Sequence, residues 1–291
     1  MTDPAPHLSV IAPVYNEGAI LPELARRCAE AARRVDPAAE VILVDDASTD
    51  NTRQLAPALP ARVLHLPENR RQLRATQAGL AEARGEVVVV LDGDLQDPPE
   101  LIPELVAALT PGLDVVFAVK RSRQDPWWFH VGRAGYAALL ALPGARAVPP
   151  GSGAYCAMRR PVAARVAAIR LPDGNLAPLL VALGVRFGTV EYAKAPRYDG
   201  QSRVGLWGLI REAIPSLALT GALGALLGWG GAALAAAALL LRPPFPATMA
   251  LIVTAAALGA AAIGLNRRAR AVLARPPQPR DPGPDPDGGH A

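Results

Sequence analysis

Residues 87–100 read VVVVLDGDLQDPPE, four valines followed by three aspartates within six positions. A β-branched run without polar alternation is the pattern of a strand covered on both faces. The aspartates that follow need water, a cation or a hydrogen-bond donor. A dry strand that ends in carboxylates fits an α/β sheet, because ligands there bind beyond the carboxyl ends of the strands. The same alternation extends outward on both sides. LSVIAPVY (8–15) precedes an amphipathic stretch from Ala19 to Val35, and EVILVDD (40–46) precedes a short polar helix. ARVLHLP (61–67) leads to a helix from Gln72 to Arg84, EVVVVLD (86–92) leads to one from Pro99 to Leu109, and DVVFAVK (114–120) closes the series. These elements predict an α/β domain, a mostly parallel sheet covered by helices.

The chain of 291 residues is 51% hydrophobic but 4% aromatic, so Ala, Leu and Val carry its apolar content. Its net charge is +4, lysine occurs only at Lys120 and Lys194, and no basic stripe is interleaved with aromatics. Nucleic acid is therefore not an expected partner. Cys28 and Cys156 form no metal or redox spacing, and the four histidines are scattered. LSVIAPV is too short for a signal-peptide core and reads as a strand.

After Glu212 the character changes. No charged residue occurs from Ala213 to Leu241 or from Pro243 to Leu265. Each run is long enough for a bilayer-spanning helix, and the short RPPFP connection predicts a hairpin. Ahead of it, RVGLWGLIREAI (203–214) places Leu206, Ile210 and Ile214 near one face beside Trp207, the pattern of an interfacial helix. NRRARAVLAR (266–275) carries four arginines against one in the hairpin loop, which puts both termini in the cytoplasm and makes the chain a multi-pass protein of the cytoplasmic membrane. The expected organisation is a soluble domain over 7–202, an interfacial helix over 203–215, two transmembrane helices over 216–265 and a tail over 266–291 that turns Pro/Gly-rich and disordered.

Acidic residues follow three strands: Glu17 the first, Asp45 and Asp46 the second, Asp92 and Asp94 the fourth. At one edge of one sheet they converge. Asp92-Gly93-Asp94 can place two carboxylates on one side of a turn, with Gly93 permitting close backbone approach. Paired hard oxygens suit Mg²⁺ or Mn²⁺ that bridges to substrate phosphates.

VIAPVYNE, VDDASTDNT, ENRRQ and LDGDLQDPPE, in this order and spacing, resemble the family 2 inverting glycosyltransferases of GT-A fold. Within them the chain is similar to the polyprenyl-phosphate glycosyltransferases, the dolichol-phosphate mannose synthase group and its bacterial relatives with a C-terminal membrane hairpin. RYDGQSRVGLW (197–207) matches an element of that branch. The resemblance implies a Rossmann-like GT-A domain that takes a UDP- or GDP-sugar as donor and a polyprenyl phosphate as acceptor at the bilayer surface; it leaves homo-oligomeric assembly open. Pro13, Tyr15, Glu17, Val44, Asp45, Asp46, Asp92, Gly93, Gln96 and Lys120 would line the nucleotide-sugar site. Asp92 and Asp94 would hold the metal, with Asp94, Arg197 and Arg203 taking part in catalysis.

The chain departs from the family pattern in four places. The usual D-A-D is DGD, Arg71 stands where a glycine is common, and Lys120 replaces an arginine. In PPGSGAYCAMRR (149–160), Gly151 and Ala154 replace acids and Cys156 replaces an arginine, so the usual base is absent. A hydroxyl acceptor needs a general base, typically worth about 10²–10⁴-fold. A lipid monophosphate, with a second pKa of roughly 6, is already mostly dianionic at neutral pH. The missing acid thus argues against a hydroxyl acceptor more than against a phosphate. Two other readings remain at this level: transfer to a lipid or polysaccharide hydroxyl, with Asp173 as base, and a nucleotide- or lipid-binding scaffold without activity.

Overall fold

The computed structural model describes residues 6–121, 148–169, 174–193, 220, 225, 227–228, 230–234 and 245–274. Asp173, Arg197, Arg203, the interfacial helix over 203–215 and the tail from 275 lie outside the described residues.

Strand β1 (Leu8–Val14) leads to helix α1 (Leu21–Arg33), β2 (Glu40–Asp45), the short α2 (Thr52–Leu55), β3 (Arg62–His65) and α3 (Arg71–Glu82). Then come β4 (Val87–Val90), α4 (Ile102–Ala108), β5 (Val115–Lys120), β6 (Ser152–Arg159), α5 (Arg160–Ala168), α6 (Leu176–Ala182) and β7 (Phe187–Tyr192). The strands form one seven-stranded sheet in the order β3-β2-β1-β4-β6-β5-β7. Pairings are parallel except at β6, which runs antiparallel to both β4 and β5. The GT-A-like α/β fold with a mostly parallel sheet is therefore present.

The valine run behaves as its composition requires. Val87 and Val89 enter the core layer that α1 and α4 share with the sheet, and Val88 and Val90 enter the opposite layer, under α3, α5 and α6. None of the four exceeds 6% exposure, so both faces of the strand are dry. β6 and β7 were not anticipated. SGAYCAMR holds few strongly β-forming residues, and β6 forms because it fills the gap between β4 and β5, where backbone groups must be paired, whereas FGTVEY has the β-forming Phe187, Thr189, Val190 and Tyr192. Pro98 and Pro99 delay α4, so that a 3₁₀ turn over Pro99–Leu101 precedes it.

Because β6 alone is reversed, the carboxyl ends of β1, β2, β4, β5 and β7 and the start of β6 share one edge. The chain order reverses between β1 and β4, which puts a crevice between their ends. The turn after β4 closes against β1 at Gly93, where an added Cβ would lie 2.5 Å from the Pro13 carbonyl oxygen and 2.7 Å from Val14 Cγ1. The same turn is tied to the far side of the sheet by Asp97, which is 1% exposed. Its Oδ1 accepts from the Tyr192 hydroxyl and lies 3.6 Å from Lys120 Nζ, so one buried oxygen joins the ends of β5 and β7 to the β4 turn. Tyr192 stacks edge-to-face on Tyr155 at 5.8 Å, and the Tyr155 hydroxyl donates to the Pro98 carbonyl at 2.8 Å. Burial, then the charge of Asp97, pushes the Tyr192 phenol up, which keeps it protonated and donating.

The two membrane-crossing helices expected over 216–265 are not found: among the described residues no helix is long and apolar enough to cross a membrane. Most of the first run lies outside the described residues. The second falls in α7 (Phe245–Leu273), which continues through Arg267 and Arg268. A Cβ on Gly231 would meet the Ala255 carbonyl oxygen at 2.9 Å, and one on Gly228 would meet Ala262 Cβ at 3.8 Å. The segment around 227–234 thus packs antiparallel on α7 through small residues. At the other end of α7, Val272 and Leu273 pack on the second core layer of the sheet.

Two stability measurements follow from these contacts. Gly93→Ala sets a methyl against fixed backbone and lowers chemical-denaturation stability by about 1–3 kcal/mol. Lys120→Met leaves Asp97 buried without its cation and costs about 3 kcal/mol, whereas Lys120→Arg retains most of the stability.

Candidate active site

Two loops open the crevice, and they are sewn together. After β1, Asn16 takes a left-handed conformation (φ 56°), and its side-chain oxygen accepts from the Thr49 amide at 2.7 Å and the Asp50 amide at 3.3 Å. Its own amide donates to Ser48 Oγ at 2.9 Å, and the Gly18 amide donates to Asp50 Oδ2 at 2.9 Å. The Glu17 carbonyl then starts α1 by accepting from Ile20 and Leu21. Asn16, Ser48 and Asp50 thus shape the site, although none of the three was singled out from sequence. The signal for them was in YNE and DDASTD, where Asn, Ser and Asp favour side-chain–backbone turns.

Asp45 and Asp46, expected at the nucleotide-sugar site, are 2% and 4% exposed. Asp45 accepts from the Ser48 amide at 2.9 Å and faces His65 Nδ1 at 2.9 Å. Burial alone would raise its carboxyl, but the bonds from Ser48 and His65 outweigh that and hold it below the usual range. Asp46 accepts the Arg70 amide at 2.7 Å on one oxygen and the Arg71 amide at 2.8 Å on the other. Burial dominates there and pushes its carboxyl up. Both acids work in this structure as posts for the surrounding turns. Val44 is fully buried in the second core layer, so only its backbone reaches the edge, and Pro13 is buried with its carbonyl against Gly93. The exposed groups around this crevice are instead Tyr15, Asn69, Arg70, Arg71 and Gln72.

The DGD turn lies at the next strand end. Asp94 Oδ1 accepts the Gln96 amide at 3.1 Å, and the Gln72 side-chain amide donates to Asp92 Oδ1. Gln72, at the start of α3, is a site residue that sequence reasoning quoted within ENRRQ but did not single out. Gln96 is 6% exposed, and its side-chain oxygen is buried without a hydrogen-bond partner. An orphaned hard oxygen beside two half-buried carboxylates fits a small divalent cation that keeps its other positions for phosphate and water. Among the described residues no group of three or more His, Cys, Asp or Glu side chains could hold a metal by itself. Asp92, Asp94 and Gln96 are thus the residues that would hold such a cation, each through oxygen.

Lys120, expected at the nucleotide sugar, is a quarter exposed at the mouth of β5 and held by Asp97. Opposite it stands the segment that departs most from the family pattern. Gly151 has φ +81°, and a Cβ there would lie 2.9 Å from the Lys120 carbonyl oxygen. An aspartate at 151 is strained by this backbone. Ala154 is half-buried against the second core layer, and Cys156 is fully buried within it, its thiol pushed up by burial. The replacements at 151, 154 and 156 fit the local packing and supply no acid.

Comparison with known proteins agrees with this architecture. Residues 9–166 match glycosyl transferase family 2. The chain is 43% identical over 127 residues to the undecaprenyl-phosphate 4-deoxy-4-formamido-L-arabinose transferase of Pseudomonas paraeruginosa (strain DSM 24068 / PA7), a match that takes in 42% of this chain and 38% of that relative. The chain therefore spans well under half the length of that relative. Among solved structures it is similar in fold to the glucosyl-3-phosphoglycerate synthase of Mycobacterium tuberculosis in complex with Mn²⁺, UDP and glucosyl-3-phosphoglycerate, with TM-score 0.54 and 21% identity over 74% of this chain and 80% of that one. The same synthase with phosphoglyceric acid alone aligns with TM-score 0.55 at 20% identity, again over 74% of this chain and 80% of that one. The family match covers the strands from β1 to β6 and the turns after β1, β2 and β4, and it places this chain in glycosyl transferase family 2, a family of inverting glycosyltransferases.

Proposed function

We propose that this chain moves one sugar from a nucleoside diphosphate sugar to a polyprenyl phosphate at a membrane surface. The observation that carries the acceptor class is the start of β6. The position from which a base would act is a left-handed glycine followed by small or buried residues. A hydroxyl acceptor would need that base, and a phosphate dianion would not. The likeness to a transferase whose acceptor is undecaprenyl phosphate supports the same reading.

The reaction is an inverting displacement. A phosphate oxygen of the acceptor attacks the anomeric carbon, the bond from that carbon to the diphosphate breaks, and the electron pair leaves with the nucleoside diphosphate. Asp92, Asp94 and Gln96 would hold Mg²⁺ or Mn²⁺ on that diphosphate. The cation, when bound, neutralises charge developing on the leaving group. Gln72 orients Asp92 through its hydrogen bond, Asp97 fixes Lys120 at the mouth of β5, and Tyr15 would offer its exposed ring to the nucleoside. Arg197 and Arg203 would meet the acceptor phosphate, where a guanidinium fork suits the charge.

Membrane attachment through the C-terminal region belongs to the same proposal. From Phe245 to Leu265 helix α7 carries no charge, and Ile252, Val253 and Ile263 are 48%, 61% and 57% exposed on it. Apolar side chains left open to this extent on one helix favour a lipid-facing role over a water-facing one. The packing of Val272 and Leu273 on the domain would hold the crevice close to that surface.

Purified full-length protein in detergent, given Mn²⁺, short polyprenyl phosphate and separate radiolabelled UDP- and GDP-sugars, is expected to move label from one donor into the organic phase. Asp94→Ala is expected to lower that transfer at least 10²-fold with the fold intact by circular dichroism. Label that enters a polyprenol or polysaccharide hydroxyl in preference would replace the acceptor assignment. Donor binding without transfer to any acceptor would leave a scaffold.

A further inference from the structure

Two of the three buried side-chain atoms that lack a hydrogen-bond partner among the described residues sit side by side in the turn after β4. They are Gln96 Oε1 and Asp97 Oδ2, on residues that are 6% and 1% exposed. A dry oxygen without a donor is costly, so whatever holds it there needs a reason. On the upstream side, Asp94 Oδ1 accepts the Gln96 amide at 3.1 Å. On the downstream side two phenols hold the chain. The Tyr192 hydroxyl donates to Asp97 Oδ1, and the Tyr155 hydroxyl donates to the Pro98 carbonyl at 2.8 Å. The two rings meet edge-to-face at 5.8 Å, so they act on the turn as one unit.

Packing alone does not ask for a phenol at either place. Tyr155 and Tyr192 lie in the first core layer at 0% and 5% exposure, where a phenylalanine would fill the same space. Tyrosine adds a hydroxyl that has to be satisfied, and both hydroxyls bond to the residues that follow Gln96. A buried hydrogen bond adds little net stability over an apolar pair of the same shape. What it adds is direction, because donor and acceptor meet within a narrow range of distance and angle. Tyr155 comes from β6, beside β4, and Tyr192 comes from β7, three places from β4 in the sheet. The turn is therefore set by strands on the far side of the sheet as well as by its own chain.

We infer that Tyr155 and Tyr192 are positioning residues of the cation site. Their hydroxyls hold residues 97 and 98, and through them Gln96, so that its side-chain oxygen joins Asp92 and Asp94 on one divalent ion. This rests on reading that turn as the cation site of the donor. Neither hydroxyl is a ligand of the ion.

The full chain in detergent is titrated with Mn²⁺, alone and with UDP or GDP, and free ion is read by electron paramagnetic resonance. Tyr192→Phe and Tyr155→Phe each remove one oxygen and keep the ring. Each is expected to weaken Mn²⁺ binding about tenfold, the lower end of the effect of residues that support metal ligands. Val116→Ala, a cavity in the same core layer, is the control, expected to lower Tm and leave Mn²⁺ affinity unchanged. Gln96→Leu is expected to weaken Mn²⁺ by itself. Tyr192→Phe added to Gln96→Leu should then cost little more, because the tyrosine acts through Gln96. Wild-type Mn²⁺ affinity in both phenylalanine variants overturns the inference, and so does an undiminished further loss in the Gln96→Leu background. A wild-type protein that binds no Mn²⁺ under any of these conditions overturns the cation site itself, and this inference with it.

Discussion

A carboxylate taken out of water must be met by donors, and the carboxyl edge of this sheet buries three of them. Asp45, Asp46 and Asp97 are each below 5% exposure. An unpaired charge in such a place costs several kcal/mol, so each acid recruits a neighbouring segment. Asp45 takes the Ser48 turn and His65, Asp46 takes the amides of Arg70 and Arg71, and Asp97 takes Tyr192 and Lys120. The loops around the crevice are positioned by these debts of hydrogen bonding. Asp92 and Asp94, by contrast, remain half open at the same edge.

This contrast separates buried from half-open acids within one stretch of sequence. In LDGDLQDPPE, Asp92 and Asp94 face the crevice, whereas Asp97 faces inward and joins the turn to β5 and β7. Gly93 lets the turn lie against the end of β1, so the pair of open carboxylates is held to the strand that carries Tyr15 and Asn16. Glycine is the side chain this contact admits, which gives DGD here a steric basis. At the opposite wall, Gly151 and Cys156 have steric explanations too: one sits in left-handed backbone against Lys120, the other in the dry interior of the sheet.

Much of the fold was legible in the sequence because its strands are buried on both faces. Unbroken runs such as VVVV, VILV and VVFAV declare themselves, and α1 was placed to within two residues at each end. β6 was not legible. Alanine, glycine and cysteine at 153–157 have little intrinsic preference for a strand, and they form one because β4 and β5 present unpaired backbone on either side. The edge acids were visible as a group, since strand ends in such a sheet converge. Their separate surroundings were not visible, because a buried acid that anchors a turn and a half-open acid at the same edge look the same in one dimension.

The sequence by itself determined the α/β class, the family motifs, the acidic sheet edge and a C-terminal region of long uncharged runs. Periodicity, β-branching and charge spacing are local, and they survive being read along the chain. Only the tertiary structure decided that Asp45, Asp46 and Asp97 are anchors, that Gln72 reaches Asp92, and that an aspartate at 151 is disfavoured by the backbone. It also decided that Arg71 occupies a conformation suited to glycine. Each of these depends on what a side chain or a backbone carbonyl meets across a gap between strands, and that is fixed when residues tens of positions apart are packed and dried together.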